Sequence, residues 1–424
     1  MNLKANILPM TDPYYGQRLT FVSNAQHLYV LIMSWNNDVT YAMAPYKLLA
    51  LPLGSWPLQK YDKFSLLRYI LCCLGMIAML ILMYVEIYHD CIDTSEKIDI
   101  LMLTTCSIIA LSKISIFRIY ANNLTRNFTS AINDYLAIDT EEKRTIMLRH
   151  AFMGRAIYYS IVLFGVMGIL GLILTPFITS DNNAQLNVSM NEFTLVYPVP
   201  TPCTLGRFHI STNLYLLIFV TQCILIVMTC TANLGSDTLL FGIILHICGQ
   251  IEVLRFEIAN FGVENKNIDQ IFSKLTRRHS YLLTHAKLLI DAISFVLLVQ
   301  LLVSCILICT IGLQFILALK TSDAMMIAKT VSALVTFMSQ MFAYSFVGDY
   351  LKYQAEEIAK SIYGCNWHRF TAKLMKNILF VIARSHQPVQ LTAGKFFVVN
   401  LETYMSILKT SFSYLSFLRL MLDA

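Results

Sequence analysis

Charge is scarce in this chain. Asp, Glu, Lys and Arg make up 14% of its 424 residues, against about 25% in an ordinary soluble protein. That scarcity excludes a soluble globular enzyme, a disordered chain and a small disulfide scaffold. Catalytic signatures are missing as well. There is no H-E-x-x-H, no G-x-S-x-G, no Walker loop and no glycine-rich nucleotide fingerprint, so an enzyme is not expected. No C-x-x-C pair has a histidine partner, and no two histidines have metal spacing on one face. No metal and no cofactor are therefore expected. The first ten residues lack the apolar run of a cleavable signal, so the first span is expected to act as its own insertion signal. Acids inside apolar stretches are almost missing, and no paired broken helices are visible; both count against a coupled transporter. The alternating ten-residue segments of an outer-membrane barrel are absent too.

Long apolar runs dominate what is there. Hydrophobic residues reach 56% and the mean hydropathy is +0.59. Charge-poor stretches fall at Tyr69–Val85, Ile100–Ser112, Ala156–Ser180, Phe208–Ser236, Ala292–Leu319 and Thr330–Gly348, with a seventh within Phe396–Leu420. A spanning helix needs about 20 residues. The second stretch must then run on towards Ile119, with Lys113 snorkelling to the interface. The fold class is an all-α membrane protein with seven transmembrane helices. The fourth and fifth stretches exceed a bilayer's thickness and should tilt or project into water.

Charge distribution orients the helices. Lys and Arg number six in the N-terminal segment up to Arg68, seven in the 2–3 connection, six in the 4–5 connection and seven in the 6–7 connection. The opposite side holds only Lys97, Arg207, Lys320, Lys329 and Arg419. The positive-inside rule places the N-terminus inside and the C-terminus outside. A G-protein-coupled receptor has the reverse sidedness, so a metabotropic receptor is disfavoured. The expected organisation is a cytoplasmic segment (1–65), a body of six spans (66–348), cytoplasmic anchor helices (349–395) and a last helix with a short tail (396–424).

The cytoplasmic connections have helical composition. Asp237–Asn260 keeps apolar residues at helical spacing, and Tyr350–Ile362 reads as amphipathic. Such helices suit a subunit interface or a membrane surface. Asn187 heads a sequon on the predicted outside and is a candidate for glycosylation; the sequons at Asn123 and Asn127 fall inside and should be unused. Cys91 and Cys203 are the only cysteines in outer connections. They are read as two free thiols, with a disulfide between them as the alternative. His27, His89, His285, His368 and His386 lie in connections and are read as solvated.

Small polar and aromatic residues interrupt some of the apolar helices. The third span offers Tyr158, Tyr159, Phe164, Met167, Gly168 and Gly171. The fourth offers Tyr215, Phe219 and Gln222, and the sixth Ser332, Thr336, Phe337, Met338 and Ser339. Such a mixture lines an apolar ligand pocket or serves ordinary helix packing. For a pocket, the candidates are Met167, Gly168, Gly171, Tyr215, Phe219, Thr336 and Met338.

Three stretches carry a family resemblance. They are Leu48–Pro57 (LLALPLGSWP), Gln387–Phe396 (QPVQLTAGKF) and Lys409–Leu415 (KTSFSYL). With the span count, the sidedness and the Ile362–Tyr363 to Trp367 spacing, the chain resembles an insect odorant receptor. The resemblance implies a non-selective cation channel gated by a volatile molecule, in the plasma membrane of sensory neurons. It implies a tetramer with co-receptor subunits, a pocket in the outer half of each bundle, and cytoplasmic anchor helices. Its partners would be co-receptor, small volatile ligand and membrane lipid, with no nucleic acid. Asp237–Asp291 looks too short for the co-receptor's insertion, so the chain resembles a ligand-tuned subunit. Its terminal Ser-Tyr…Leu-Arg differs from the Thr-Tyr…Gln-Phe of gustatory relatives, the nearest rival class. Ser411, Leu415 and Leu418 share one helical face, and by resemblance that face lines and gates the pore. Lys409 points roughly 200° away from it.

Overall fold

In lipid a backbone must satisfy its own hydrogen bonds, and the helix is the local way to do so. The computed structural model describes residues 37–89, 94–186, 197–201, 203–205, 211–261, 267–365, 367 and 370–423, with backbone only in 94–95, 175–186, 418 and 421–423. Asn187, Cys91, His27 and His368 lie outside the described residues, as does the Leu418 side chain. In chain order the helices are α1 (Asn37–Ala50), α2 (Lys63–His89), α3 (Thr94–Ile119), α4 (Ala121–Leu136) and α5 (Glu141–Leu186). There follow α6 (Thr212–Ala259), α7 (Ile268–Thr321), α8 (Ala324–Tyr363), α9 (Ala372–Ser385) and α10 (Leu401–Asp423). A two-stranded hairpin, β1 (Thr392–Ala393) and β2 (Phe397–Val398), precedes α10.

Among the described residues, α2, α3, α5, α6, α7 and α8 are long and apolar enough to cross a membrane. The chain is an all-helical, multi-pass membrane protein. Helix α10 is also long enough, at 23 residues, but Glu402, Lys409 and a run of serines dilute its apolar character.

Helices α6 and α7 run without a break for 48 and 54 residues. At about 1.5 Å per residue each is roughly 70–80 Å long, against a hydrocarbon core of about 30 Å. Their surplus length lies at the end of the bundle where α1, α4 and α9 pack, termed lower here. The Asp237–Asn260 expectation holds there: α6 is buried on nearly every side below Leu234, as befits a central post. Around it sit Tyr46, Phe128, Leu351 and Ile378 from α1, α4, α8 and α9.

Polar contacts fix how these lower helices meet. Arg144 of α5 grips Asp38 of α1 through two bonds of 2.7 and 2.9 Å. That contact holds the Asp38 carboxyl below its ordinary pKa. Asn127 is buried and meets the His285 ring at 2.8 Å. His285 is therefore not solvated as expected, and the Asn127 sequon is occupied by packing. The Leu48–Pro57 motif forms the turn from α1 to α2. Its Trp56 is buried edge-on against Phe128, and the Thr125 hydroxyl donates to Pro57 O at 2.6 Å.

One buried ion pair crosses the bundle. Lys113 Nζ of α3 lies 2.6 Å from Asp237 Oδ1 of α6, each side chain 1% exposed. From α8, the Gln340 amide and the Tyr344 hydroxyl both donate to the same carboxylate. Lys113 does not snorkel. Its ammonium is drawn inward because desolvation of a lone charge is costly and Asp237 supplies a partner with two further donors. Removing one member strands the other. Asp237→Asn is expected to cost about 3–5 kcal/mol and to lower the melting temperature of the detergent-solubilised protein sharply. The Lys113→Met, Asp237→Leu double variant is expected to melt above either single variant, which fluorescence-detected size exclusion after heating would show.

Candidate functional site

The upper half of the bundle is roofed by residues 197–201 and 203–205. Glu86, one residue past the first charge-poor stretch, ends α2 with a fully buried carboxylate. It accepts from Cys203 N at 3.0 Å, Thr204 N at 2.9 Å and the Thr204 hydroxyl. Gln222 of α6 holds the other end, accepting from Val199 N at 3.2 Å. Cys203 is disulfide-bonded, so of its two readings the free thiol is the one that fails. Acids are thus present inside the helices after all, at Glu86 and Asp237. The helices run past the charge-free stretches that served to bound them.

Beneath this roof, Val199 and Cys203 pack on Met79, Met83, Ile100, Leu103 and Ile226. A second cluster joins Met102, Leu307 and Ile311 to Leu334 and Phe337. Leu172 of α5 touches both. At the upper ends, Asp99 of α3 accepts from Lys329 of α8 and, at 2.9 Å, from Gln314 of α7. The roof and these ties hold α2, α3, α6, α7 and α8 around an apolar interior.

The expected pocket residues fall into separate groups. Gly168 and Thr336 come together between α5 and α8. A Cβ on Gly168 would lie 3.8 Å from Thr336 Oγ1 and 4.0 Å from Ser332 Oγ, and one on Gly171 would meet open space. Thr336 already donates towards Phe164 O and Ser332 O, so its hydroxyl is committed to the helices. Tyr215 and Phe219 form a second group under the roof, where Tyr197 packs edge-on against Tyr215 with centroids 5.2 Å apart. Burial raises the Tyr197 phenol above its ordinary pKa. Met167 is 54% exposed on the outside of the bundle. Met338 lies at the edge of the main core, away from both groups.

Helix α10 lies along α7, its start set by the Gln387–Phe396 motif. Gly394 and Lys395 both take the left-handed conformation, φ 60° and 64°, that a tight hairpin turn requires. Gly394 N donates to Ser294 O at 2.9 Å, and a Cβ there would strike Leu298 at 2.6 Å. The turn thereby seats the hairpin on α7. Asp349 of α8 accepts from Leu401 N at 3.2 Å, capping α10.

Two residues of the face expected to line the gate, Ser411 and Leu415, pack inside the subunit. Ser411 is 2% exposed, with Cys305 Sγ 3.6 Å from its hydroxyl. Leu415 rests over Gly312, its Cδ2 3.0 Å from where a Cβ would be. That face is turned into the subunit's own bundle. The opposite side presents Glu402, Ser406, Lys409, Ser413 and Ser416, all exposed. Their spacing of four, three, four and three residues makes one continuous stripe.

The model of the 7tm odorant receptor family matches residues 93–412. The chain belongs to the 7tm odorant receptor family. Among curated relatives, odorant receptor 13a of Drosophila melanogaster is 24% identical over 88% of this chain and 96% of its own length. Odorant receptor Or2 of Anopheles gambiae is 21% identical over 83% and 92%. Among solved structures, the olfactory receptor OR5 of Machilis hrabei superposes with a TM-score of 0.74, covering 92% of this chain and 98% of its own at 14% identity. Its complex with eugenol gives 0.73, covering 90% and 100%. The relatives are receptors, and the solved neighbours share the fold.

Several features of this odorant receptor escaped sequence reasoning. Glu86 stands at the very edge of an apolar run, where nothing in the sequence marks it as buried. Lys113 and Asp237 were both read as boundary charges, and nothing in their spacing links two residues so far apart in the chain. If Leu415 is a packing residue, Leu415→Ala should lower stability by about 2–4 kcal/mol while leaving ion selectivity unchanged. Melting of the purified protein and reversal potentials in mixed cations would measure the two effects.

Proposed function

We propose that this odorant receptor is the odour-binding subunit of a ligand-gated, non-selective cation channel, working as a hetero-tetramer with co-receptor subunits in the plasma membrane of sensory neurons. In this reading α10 is the seventh span, the N-terminus is inside and the C-terminus outside. The upper half, roofed by residues 197–201 and 203–205, holds a small volatile molecule. The lower helices join the subunits.

The observation that carries the proposal is the outward stripe of α10. Glu402, Lys409 and three serines face away from the chain's own bundle. Charged side chains in lipid are costly, by about 2.5–3.5 kcal/mol each at mid-bilayer on insertion scales. A wet axis shared by several subunits removes that cost and gives cations a polar path. The pathway so assigned runs over Ser406, Ser413 and Ser416 rather than over Ser411 and Leu415. Four copies of Lys409 around one axis would repel cations, which favours mixing with subunits of another sequence. Support for the ligand comes from the fold shared with the Machilis hrabei receptor, whose complex holds eugenol. Gly168, Gly171, Tyr215 and Phe219 are the proposed pocket residues, with Met167 and Met338 peripheral.

Cysteine accessibility in patch-clamped cells tests the pathway. In cells that also express co-receptor, Ser413→Cys and Ser416→Cys are expected to lose most odour-evoked current on exposure to a charged methanethiosulfonate, and Ser411→Cys to lose little. Modification of Ser411→Cys alone would reverse the assignment. Large currents from the chain without co-receptor would favour a self-sufficient, gustatory-like channel instead.

A further inference from the structure

Below the buried ion, α8 carries a row of aromatic side chains. Phe342, Phe346, Tyr350 and Tyr353 recur at intervals of four, four and three residues, so they share one side of the helix. Each ring stacks on the next, with centroids 6.1, 5.9 and 6.4 Å apart and planes within 28° of parallel. The row is fixed from the side. The Tyr350 hydroxyl meets His150 Nε2 of α5 at 3.0 Å and accepts from the Gln354 amide at 2.9 Å. Phe342 packs edge-on against Tyr404 of α10. Yet the row is not core: Phe342 is 47% exposed and Tyr353 50%. These are ordered rings with open surface.

Phe346, Tyr350 and Tyr353 line a groove of about 310 Å³ together with Asp349, Lys352 and Glu356, and it reaches Leu401 at the start of α10. Small-molecule sites run from about 300 to 1,000 Å³. Two carboxylates stand there against one ammonium. Asp349 gives one oxygen to Leu401 N at 3.2 Å, and its other oxygen has no hydrogen bond among the described residues. Lys352 and Glu356 are 3.9 Å apart, the loosest ion pair among the described residues, and such exposed pairs are weak. An anion would be repelled by this lining, and a neutral apolar molecule would gain nothing from the carboxylates. A cation gains from both, because ring faces attract positive charge as carboxylates do. From Phe346 to Glu356 the lining runs roughly 15 Å along the helix, which fits an extended molecule. A metal ion such as Ca²⁺ needs its oxygen ligands gathered at one point, and no group of ligands able to hold a metal occurs among the described residues.

We propose that this groove binds a linear organic polycation, with its ammonium groups on Asp349 and Glu356 and its methylene chain over Tyr350 and Tyr353. Glu356 exchanges Lys352 for the ligand. The groove opens at Leu401, and the outward stripe of α10 begins one residue later at Glu402. A bound polycation therefore stands at the lower, cytoplasmic mouth of the proposed pathway and obstructs it. The site rests on the groove alone; its place beside the pathway rests on the channel reading above.

Two measurements separate the site from its placement. The first is equilibrium binding of radiolabelled spermine to the full chain assembled with co-receptor in nanodiscs of uncharged lipid. Tyr353→Leu, which keeps apolar bulk but loses the ring, and Glu356→Gln should each weaken binding by about three- to tenfold. Tyr353→Phe should bind as the wild type does, and a neutral diol of spermine's length should not compete. Both side chains are exposed, so these variants are expected to fold. No saturable binding to the wild type, or an affinity unmoved in both Tyr353→Leu and Glu356→Gln, overturns the site; a neighbouring subunit filling the groove would give that result. The second measurement applies spermine to the cytoplasmic side of excised patches. Odour-evoked outward current should fall, most at positive potentials that drive the polycation into the pathway, and Glu356→Gln should need a higher concentration for the same loss. Saturable, variant-sensitive binding with no loss of current leaves the site standing and overturns its place beside the α10 pathway.

Discussion

The Asp237 carboxylate is the point on which the bundle depends. It sits at the junction of the upper and lower halves of α6, and it binds groups from two other helices at once. Lys113 neutralises it from α3, while Gln340 and Tyr344 donate to it from α8. A carboxylate with fewer partners would be intolerable at that depth. The requirement therefore works as a constraint on geometry: α3, α6 and α8 have to meet at one register for the ion to be satisfied. Apolar packing in lipid supplies little directional preference, and polar contacts between helices add it.

Helix α8 extends that constraint in both directions. Two turns above Gln340 lies Ser332, beside the space at Gly168. One turn below Tyr344, Gly348 approaches the hairpin so closely that a Cβ would lie 2.1 Å from Val399 O, and Asp349 caps α10. A single rigid helix thus touches the proposed ligand chamber, the buried ion and the first turn of the proposed pore helix. Any displacement of α8 by a ligand has to be absorbed at the ion pair or passed on to α10. The roof, fixed by Glu86, Gln222 and the disulfide at Cys203, ties the upper parts of α2 and α6 together above the proposed chamber.

Much of the architecture was legible in the sequence because a bilayer forces it. Charge-poor stretches named the spanning helices, and the apolar spacing after Asp237 showed that α6 continues beyond them. Periodicity also grouped Ser411 with Leu415 and set Lys409 on the other side, and both groupings hold. What periodicity does not contain is the identity of the neighbour each face meets. The Ser411 face packs on Cys305 and Gly312 of α7, contacts made across about a hundred residues of chain. Lys113 and His285 depart from their expected exposure for the same reason: each is drawn inward by a partner, Asp237 and Asn127, far off in the chain. Of the expected pocket residues, Gly168 and Thr336 lie side by side, whereas Met167 sits on the exposed side of the same helix as Gly168.

The central claim is that the polar side of α10, not its Ser411 side, faces water. A density map of the assembled receptor with its co-receptor in lipid nanodiscs tests it most directly. Glu402, Ser406, Lys409, Ser413 and Ser416 are expected around a hydrated central axis, with Ser411 against Cys305 of the same subunit. A map in which that stripe contacts acyl chains, or in which Ser411 and Leu415 line the axis, would contradict it.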